Sequence, residues 1–437
     1  MKFKEVLLVV VLLAVGFVVY RAQTGKWDLN FGWDDDIFSW GKSYVFEEAQ
    51  TIQAPLPSSL DVVNSHGWVE VRGADQEAIQ LTFQKKIWRR DEAEAKTVAD
   101  KLHMKIDRSA DRLSISTNRD EFTKRNFETG LILVVPRRMT LAVSNSYGAV
   151  KVESVKEATV RNRHGKVSAD NVAGPCLLDG TYEDIVASNL KADCRVTGSH
   201  AGVKVLSAAG DLRVETSYAD IRFEDIGGKA DIEGSHASVD GRRVKGQVTV
   251  ETSYEKISLT EVGGAIVRAH HGAVEATDVH GDLDVQTTYD PVQARNIQGN
   301  FRTNGNNVEV SASGIRGREI SITTSYENVD LADFSAGVRI SIRHGNVTLS
   351  PSDLKFPVDV RGEYSNIDLY WPAGETSPLE AETRGGSVRW GLSQKPSLEK
   401  TNGTSIIKAF VETRDKPGVN LSTTYGDIRI EEKDRKI

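Results

Sequence analysis

Residues 141–190 read LAVSNSYGAVKVESVKEATVRNRHGKVSADNVAGPCLLDGTYEDIVASNL, with rings at Tyr147, His164 and Tyr182. The stretch between one ring and the next repeats itself. Counting outward from each ring, Leu141, Ala158 and Cys176 stand six residues before it, and Val143, Val160 and Leu178 four before. Val150, Val167 and Ile185 follow three after, and Val155, Val172 and Leu190 eight after. The alternation of apolar and polar residues on both sides of the ring has a period of 2, so each unit holds two short strands with one inward face each. A ring marks the turn between them.

The pattern extends far beyond this stretch. Tyr and His alternate about every 18 residues at Tyr147, His164, Tyr182, His200, Tyr218, His236, Tyr254, His271 and Tyr289, slip at Asn304, and resume at Tyr326, His344 and Tyr364. The four apolar columns keep phase with the rings and carry no charge. Gly174, Gly228, Gly246, Gly264, Gly281 and Gly299 close successive units. A propeller blade needs four strands in about 40 residues, which excludes that architecture. The expected fold is all-β: a single-stranded-type β-solenoid, or β-helix, in which each coil stacks on the one before and columns of Val, Ile and Leu fill a narrow core. At roughly 4.8 Å per coil, about 15 coils make a rod roughly 70 Å long. Right-handed coiling is expected, by the rule for parallel crossovers.

The regions around the array divide the chain. MKFKEVLLVVVLLAVGFVVYRAQ opens it, with Lys2 and Lys4 before an apolar run from Val6 to Tyr20. This reads as an export signal. The run is short for a span, but Tyr20-Arg21-Ala22 offers no small-x-small cleavage site, so an uncleaved anchor over residues 1–22 is expected, N-terminus inside and the bulk of the chain outside the cytoplasmic membrane, periplasmic or on the cell surface. Residues 23–44 hold Trp27, Phe31, Trp33, Phe38 and Trp40 among Asp34, Asp35 and Asp36. They read either as an interfacial aromatic anchor or as a linker whose rings tuck against the folded body. Residues 45–136 form an N-terminal cap region. Its SLDVVNSHGWVEVRG already fits the array around His66, strand-like runs surround Ile79–Phe83, Met104–Ile106, Leu113–Ile115 and Leu131–Val135, and RRDEAEAKTVADKLHMKI is the one good helix, capped by Asp91. The solenoid domain runs from 137 to 432 with looser C-terminal coils: Gly385 takes the ring position, a stretch read as a loop plus an extra strand follows, and Tyr425 recovers the pattern. The charged last residues should fray.

Composition narrows the function. Net charge is −7 and no basic run appears, which argues against nucleic acid as a partner. Cys176 and Cys194 fall in one core column and read as small buried hydrophobes, a disulfide being the alternative. Successive His of the array lie two coils apart, roughly 9–10 Å, too far to share a zinc ion, and no cofactor is expected. The rings are expected to form a structural ladder along one corner, with an exposed glycan-stacking surface as the alternative. A Gly follows the ring at Tyr147, His164, His271, His344 and Tyr425, where it is expected to complete the turn with positive φ. Residues 302–320 read as a bulged turn whose Asn304, Asn306 and Asn307 offer a ligand site or a plain insertion. No nucleophile elbow, zinc-protease or phosphate-loop motif is present, and Asp and Glu recur with the repeat as surface residues do, so no enzyme is expected; a β-helix polysaccharide-active enzyme is the least favoured alternative.

The opening LDVVNSHGWVEVRG, the helix after two strands, LILVVPRRMTLAVSNSYGAVKV and the repeated SY-x-x-I-x-L and HG-x-V units resemble the bacterial putative-adhesin domain of unknown function, the toastrack-like β-strand repeat family of envelope proteins. The resemblance covers about 55–370. It implies a non-enzymatic β-solenoid outside the cytoplasmic membrane that acts as scaffold or interaction surface, with an envelope protein or a surface glycan as partner and a link to envelope stress or adhesion. It carries over no catalytic residues.

Overall fold

The computed structural model describes residues 42–122, 126–401, 403–413 and 415–433, within one compact unit, Lys42–Ile437. The anchor expected over 1–22, nearly all of the aromatic segment 23–44 and residues 434–437 of the tail lie outside the described residues; Glu431 and Glu432, expected to fray, instead end the strand Ile428–Glu432. Among the described residues no helix is long and apolar enough to cross a membrane.

The array is a β-solenoid of about 13 turns in chain order, from Thr140–Tyr147 to Ile367–Trp371. Each turn has one strand before the corner ring and one after, and each strand pairs in parallel with its equivalents in the turns above and below. Leu212 faces Cys194 on one side and Ala230 on the other; Ile221 faces Val203 and Val239. The register step equals the sequence period, so every inward residue meets its own column mate. A shift of one residue would turn each apolar column outward, and this fixes the register. The four columns are buried, most of their members at 0–2% exposure. Val239–Thr252 and Ile257–Ala269 run through the far corner without a break, with a register irregularity at Val244/Gln247, and so join the two faces.

The core is filled by complementary sizes rather than uniform ones. Phe223 is fully buried, and its column partner in the next turn is Gly241. A Cβ on Gly241 would sit 2.4 Å from the Phe223 ring, so the glycine is the space the phenyl group occupies.

Chain order and spatial order part at both ends, where each coil was expected to stack on the one before. At the N-terminal end the His66 turn (Ser59–Val63, Trp68–Ala74) lies directly under the Tyr147 turn. The strands that follow it in sequence, Arg112–Thr117 and Phe127–Pro136, lie beneath it. Antiparallel strands then end the stack: Met104–Arg108 on one face, and Ile79–Arg89 followed by Lys42–Ile52 on the other. Helix α1 (Glu92–Ala99) is capped by Asp91, whose side chain accepts from the Glu94 N–H at 2.9 Å. Its C-terminal carbonyl of Ala99 accepts from Lys85, which also pairs with Glu48 at 2.9 Å.

At the C-terminal end the last turn of the chain (Val419–Thr424, Ile428–Glu432) is inserted between the Tyr364 turn and the earlier Gly385 turn (Leu379–Arg384, Val388–Gly391). The stretch between them contains two strands, not the single extra strand expected: Ser397–Thr401 and Thr404–Ala409 form a hairpin whose second strand pairs antiparallel with Leu379–Arg384. The same device closes both faces at the N-terminal end and, at the C-terminal end, the face of Leu379–Arg384. A parallel stack offers its next copy a free edge, and an antiparallel strand laid across that edge removes the template.

Candidate functional site

The ring corner is the most regular surface of the molecule. From His66 through Tyr147, His164, Tyr182, His200, Tyr218, His236, Tyr254 and His271 to Tyr289, each ring stacks on the next with centroids 4.6–5.8 Å apart and planes within 28°. A second run joins Tyr326, His344, Tyr364 and Tyr425 at 4.8–5.1 Å. Both faces of an internal ring are covered by its neighbours. Its edge faces solvent, which is why the tyrosines remain 47–62% exposed.

The backbone under these rings is of two kinds. At Tyr147, His164 and His271 the following glycine has positive φ, as expected; Gly148 is at 108°, Gly165 at 145° and Gly272 at 137°. Elsewhere the ring residue itself is left-handed: Tyr182, His200, Tyr218, His236, Tyr254 and Tyr289 have φ of 54–73°. The expectation fails at His344 and Tyr425, where φ is 61° and 57° on the ring residue and not on the glycine after it. An L-residue in this conformation costs about 1–2 kcal/mol. Two stacks at about 0.5–1.5 kcal/mol each offset that cost. The rings thus stabilise the strained corner that displays them.

Inside the corner, two residues before the ring, a polar column satisfies the turn. Asn64, Asn145 and Asn162 form an amide ladder, with Asn64 donating to Asn145 at 3.1 Å and Asn145 to Asn162 at 3.3 Å. Asn145 and Asn162 also donate to the carbonyls of Gly148 and Gly165. Further along, Thr216, Thr252 and Thr324 donate to the carbonyls of Ala201, Ala237 and Val308 in the preceding turn. Thr287 sits in the same column, yet its buried hydroxyl has no partner among the described residues.

The Asn-rich segment is not a bulged insertion. Phe301–Asn304 and Val310–Ile315 pair in register with the turns on both sides, and Phe301, Val310 and Ile315 occupy the core columns. The corner residue is therefore Asn307, with φ 55°, and not Asn304, where the slip was expected. This turn has the right length and lacks the ring. Its Thr303 replaces the usual aliphatic residue between Val285 and Ile322, and its buried hydroxyl is also without a partner among the described residues.

Other candidate chemistry is dispersed. Cys176 and Cys194 are buried register partners with free thiols. A hydrogen bond between them, with burial, pushes the Cys194 thiol well above its ordinary range. Among the described residues no group of three or more His, Cys, Asp or Glu is placed to hold a metal ion. Acidic groups pair with Arg along the faces: Arg213 reaches Glu215, Asp231 and Glu233, and Arg243 binds Asp225 at 2.6 Å as well as Glu224. These pairs hold the Asp225 carboxyl below and the guanidinium of Arg213 above their usual ranges.

No protein-family model and no curated protein matches the chain. Among solved structures, a putative cell adhesion protein from Clostridium sporogenes aligns over 89% of this chain and 100% of its own, at 8% identity and a TM-score of 0.19. At that score the superposition carries no argument about fold or function. The fold itself, read from the strand pairing, is a β-solenoid, consistent with the adhesin-domain resemblance of the sequence.

Proposed function

We propose that this protein is a non-enzymatic scaffold of the cell envelope, tethered to the cytoplasmic membrane by residues 1–22, with its solenoid outside as an interaction surface and a part in envelope-stress responses. The observation that carries this reading is the repeated register of about 13 turns, interrupted at Val244/Gln247. Every column repeats, so the body is a stiff spacer with two long faces. The surface carboxylates support it too, because many of them are tied to arginines of the same or adjacent turns. Proximity labelling from the full-length chain in intact cells tests the reading. Envelope proteins should dominate the labelled set; labelling of cytoplasmic proteins alone would overturn topology and function together.

A second reading, adhesion through glycan binding, is favoured by the exposed edges of eight corner tyrosines. Sugar rings stack on aromatic faces, however, and the ladder covers most of those faces with its own rings. A glycan-array screen on the purified chain separates the two readings.

A further inference from the structure

The outermost strand at the N-terminal end, Lys42–Ile52, has 11 residues and pairs only with Ile79–Arg89 among the described residues. The phase of its free edge follows from the strand beneath it. The Trp88 N–H donates to the Asn126 carbonyl, so the even-numbered residues of Ile79–Arg89 turn their backbone groups toward Phe127–Pro136 and the odd-numbered ones toward Lys42–Ile52. Tyr44 faces Ile87 and Phe46 faces Lys85, so the even-numbered residues of the outer strand take those bonds. Ser43, Val45 and Glu47 are left with N–H and C=O groups on the open edge. Such an edge is a template for a further strand. The side chains keep the same phase. Tyr44 and Phe46 pack against the core but stay half-buried, and Val45, on the opposite face, is 54% exposed. Helix α1 lies against the inner side of these strands, where Lys85 reaches its Ala99 carbonyl, and no described segment hydrogen-bonds to the edge.

We propose that this edge pairs antiparallel with the same strand of a second copy, about a two-fold axis through Val45, and joins two solenoids base to base. The sequence Lys42–Glu48, KSYVFEE, is its own complement in that register. Lys42 faces the partner's Glu48, Ser43 the partner's Glu47, Tyr44 the partner's Phe46 and Val45 the partner's Val45. Opposite charges, a hydroxyl against a carboxylate, and aromatic pairs are the cross-strand combinations that stabilise a sheet. Lys42 stands beside Arg89 in its own sheet and makes no ion pair among the described residues, so an acidic residue on its other side relieves a like-charge contact. The backbone selects the same register. Val45 presents its N–H and C=O outward, so the two copies of Val45 exchange both hydrogen bonds. Other registers fit less well. An axis through Glu47 sets that carboxylate against its copy and Phe46 against Glu48, and an axis through Ala49 forms no charge pair. An axis between two residues sets inward side chains against outward ones. A second copy also meets the requirement of an isologous contact, in which one patch serves both sides. This pairing goes beyond the scaffold and glycan readings, since it needs no foreign partner.

The test combines cross-linking with sedimentation of the full-length chain in detergent micelles. Val45→Cys, oxidised with diamide, should give a disulfide-linked dimer, since paired residues across a sheet lie within the Cα separation a disulfide spans. Ala49→Cys lies on the same edge, but its copy would be eight residues away along the pair, roughly 27 Å, and should stay monomeric. The native thiols are buried, so the parent chain should not cross-link. Val45→Pro removes an outward N–H without touching the ladder to Ile79–Arg89, and should weaken the dimer seen by sedimentation at least roughly tenfold. Lys42→Glu, an exposed change that sets like charges opposite each other, should weaken it by about threefold or more. Circular dichroism checks that both variants fold. A parent chain that sediments as a monomer, a dimer that Val45→Pro leaves intact, or equal cross-linking at Val45→Cys and Ala49→Cys would each overturn the pairing.

Discussion

From Tyr147 to Tyr289 every corner carries a ring; from Asn307 onward the same turn is used with its parts exchanged. In the first region the ladder is continuous, and core volume is balanced within the pair Phe223 and Gly241. In the second, the corners at Asn307 and Gly385 lack a ring, Thr303 replaces an aliphatic residue, Phe301 and Phe334 supply bulk in two other columns, and the final turns stack out of chain order. The comparison separates what the solenoid requires from what it tolerates. Register and apolar columns persist in both regions. The ring does not, so it is an addition to the fold and not a condition of it.

The largest test of this view lies in the continuous region. Phe223→Ala should cost about 3–5 kcal/mol, read from urea denaturation, because the fully buried phenyl leaves a cavity beside Gly241. Gly241→Ala should be destabilising alone and much less so in a Phe223→Val background. If the two changes simply add, the size complementarity is illusory. The ring ladder should matter less. Tyr218→Ala removes two stacks and Tyr289→Ala one, with the same left-handed backbone strain left behind. The first should therefore exceed the second by one stack, about 0.5–1.5 kcal/mol. Equal losses would mean that the rings stabilise their own corners without the ladder.

The columns were readable because each inward position repeats at a fixed distance from a ring, and a periodic apolar position has one explanation in a stacked fold. The helix was readable from Asp91 and the stripe Ala95, Val98, Ala99 and Leu102; Ala95 and Ala99 are buried and Val98 is half-buried, while the buried Leu102 lies past the helix end at Ala99. Two features of the corner were not. Following the ring alone put the slip at Asn304, whereas Phe301, Val310 and Ile315 locate the corner at Asn307. Positive φ on Tyr leaves no local signal, since a bulky aromatic rarely adopts it, and the enrichment of His there is too weak to mark a corner alone. The order of turns at the C-terminal end was hidden for a different reason. Tyr425 meets Tyr364 and Gly385 through contacts between turns that all carry the same pattern, so periodicity cannot rank them. The one hint was the bare ring position. Gly385 leaves room for the Tyr425 ring, 2.9 Å from where a Cβ would be.

The turn that lacks its ring also offers a stabilising change. Thr303→Val restores the aliphatic column between Val285 and Ile322 and removes a buried hydroxyl without a partner. It should raise stability by about 1 kcal/mol, since an unsatisfied buried polar group costs about 1–3 kcal/mol. The equivalent Val285→Thr in the continuous ladder should be destabilising by a similar amount. A neutral Thr303→Val would mean that water or a shifted carbonyl already satisfies the hydroxyl.

The smallest expected effect is electrostatic, and it differs in kind between the two regions. Asp333 accepts from Ser352 at 2.6 Å and pairs with Arg316 at 2.7 Å. The Ser352 hydrogen bond, followed by Arg316, holds its carboxyl below the ordinary carboxylate range against the opposing pull of burial. A pKa lower in the folded than in the unfolded chain means that folding favours the ionised form. The contribution is complete above the ordinary carboxylate range and is lost as pH falls through the depressed value. Asp333 also has a left-handed φ of 49°, which Asn tolerates, so Asp333→Asn removes the charge without changing the backbone demand. The variant should be slightly less stable than the parent at pH 7 and indistinguishable from it near pH 2. Asp225, paired with Arg243 in the continuous region, is held down in the same direction by a guanidinium rather than by a hydroxyl. Asp225→Asn should therefore lose most of its effect in about 1 M salt, where exposed ion pairs are screened, while Asp333→Asn keeps more of its own. Equal salt sensitivity at the two sites would show that Arg316 and not Ser352 sets the Asp333 pKa.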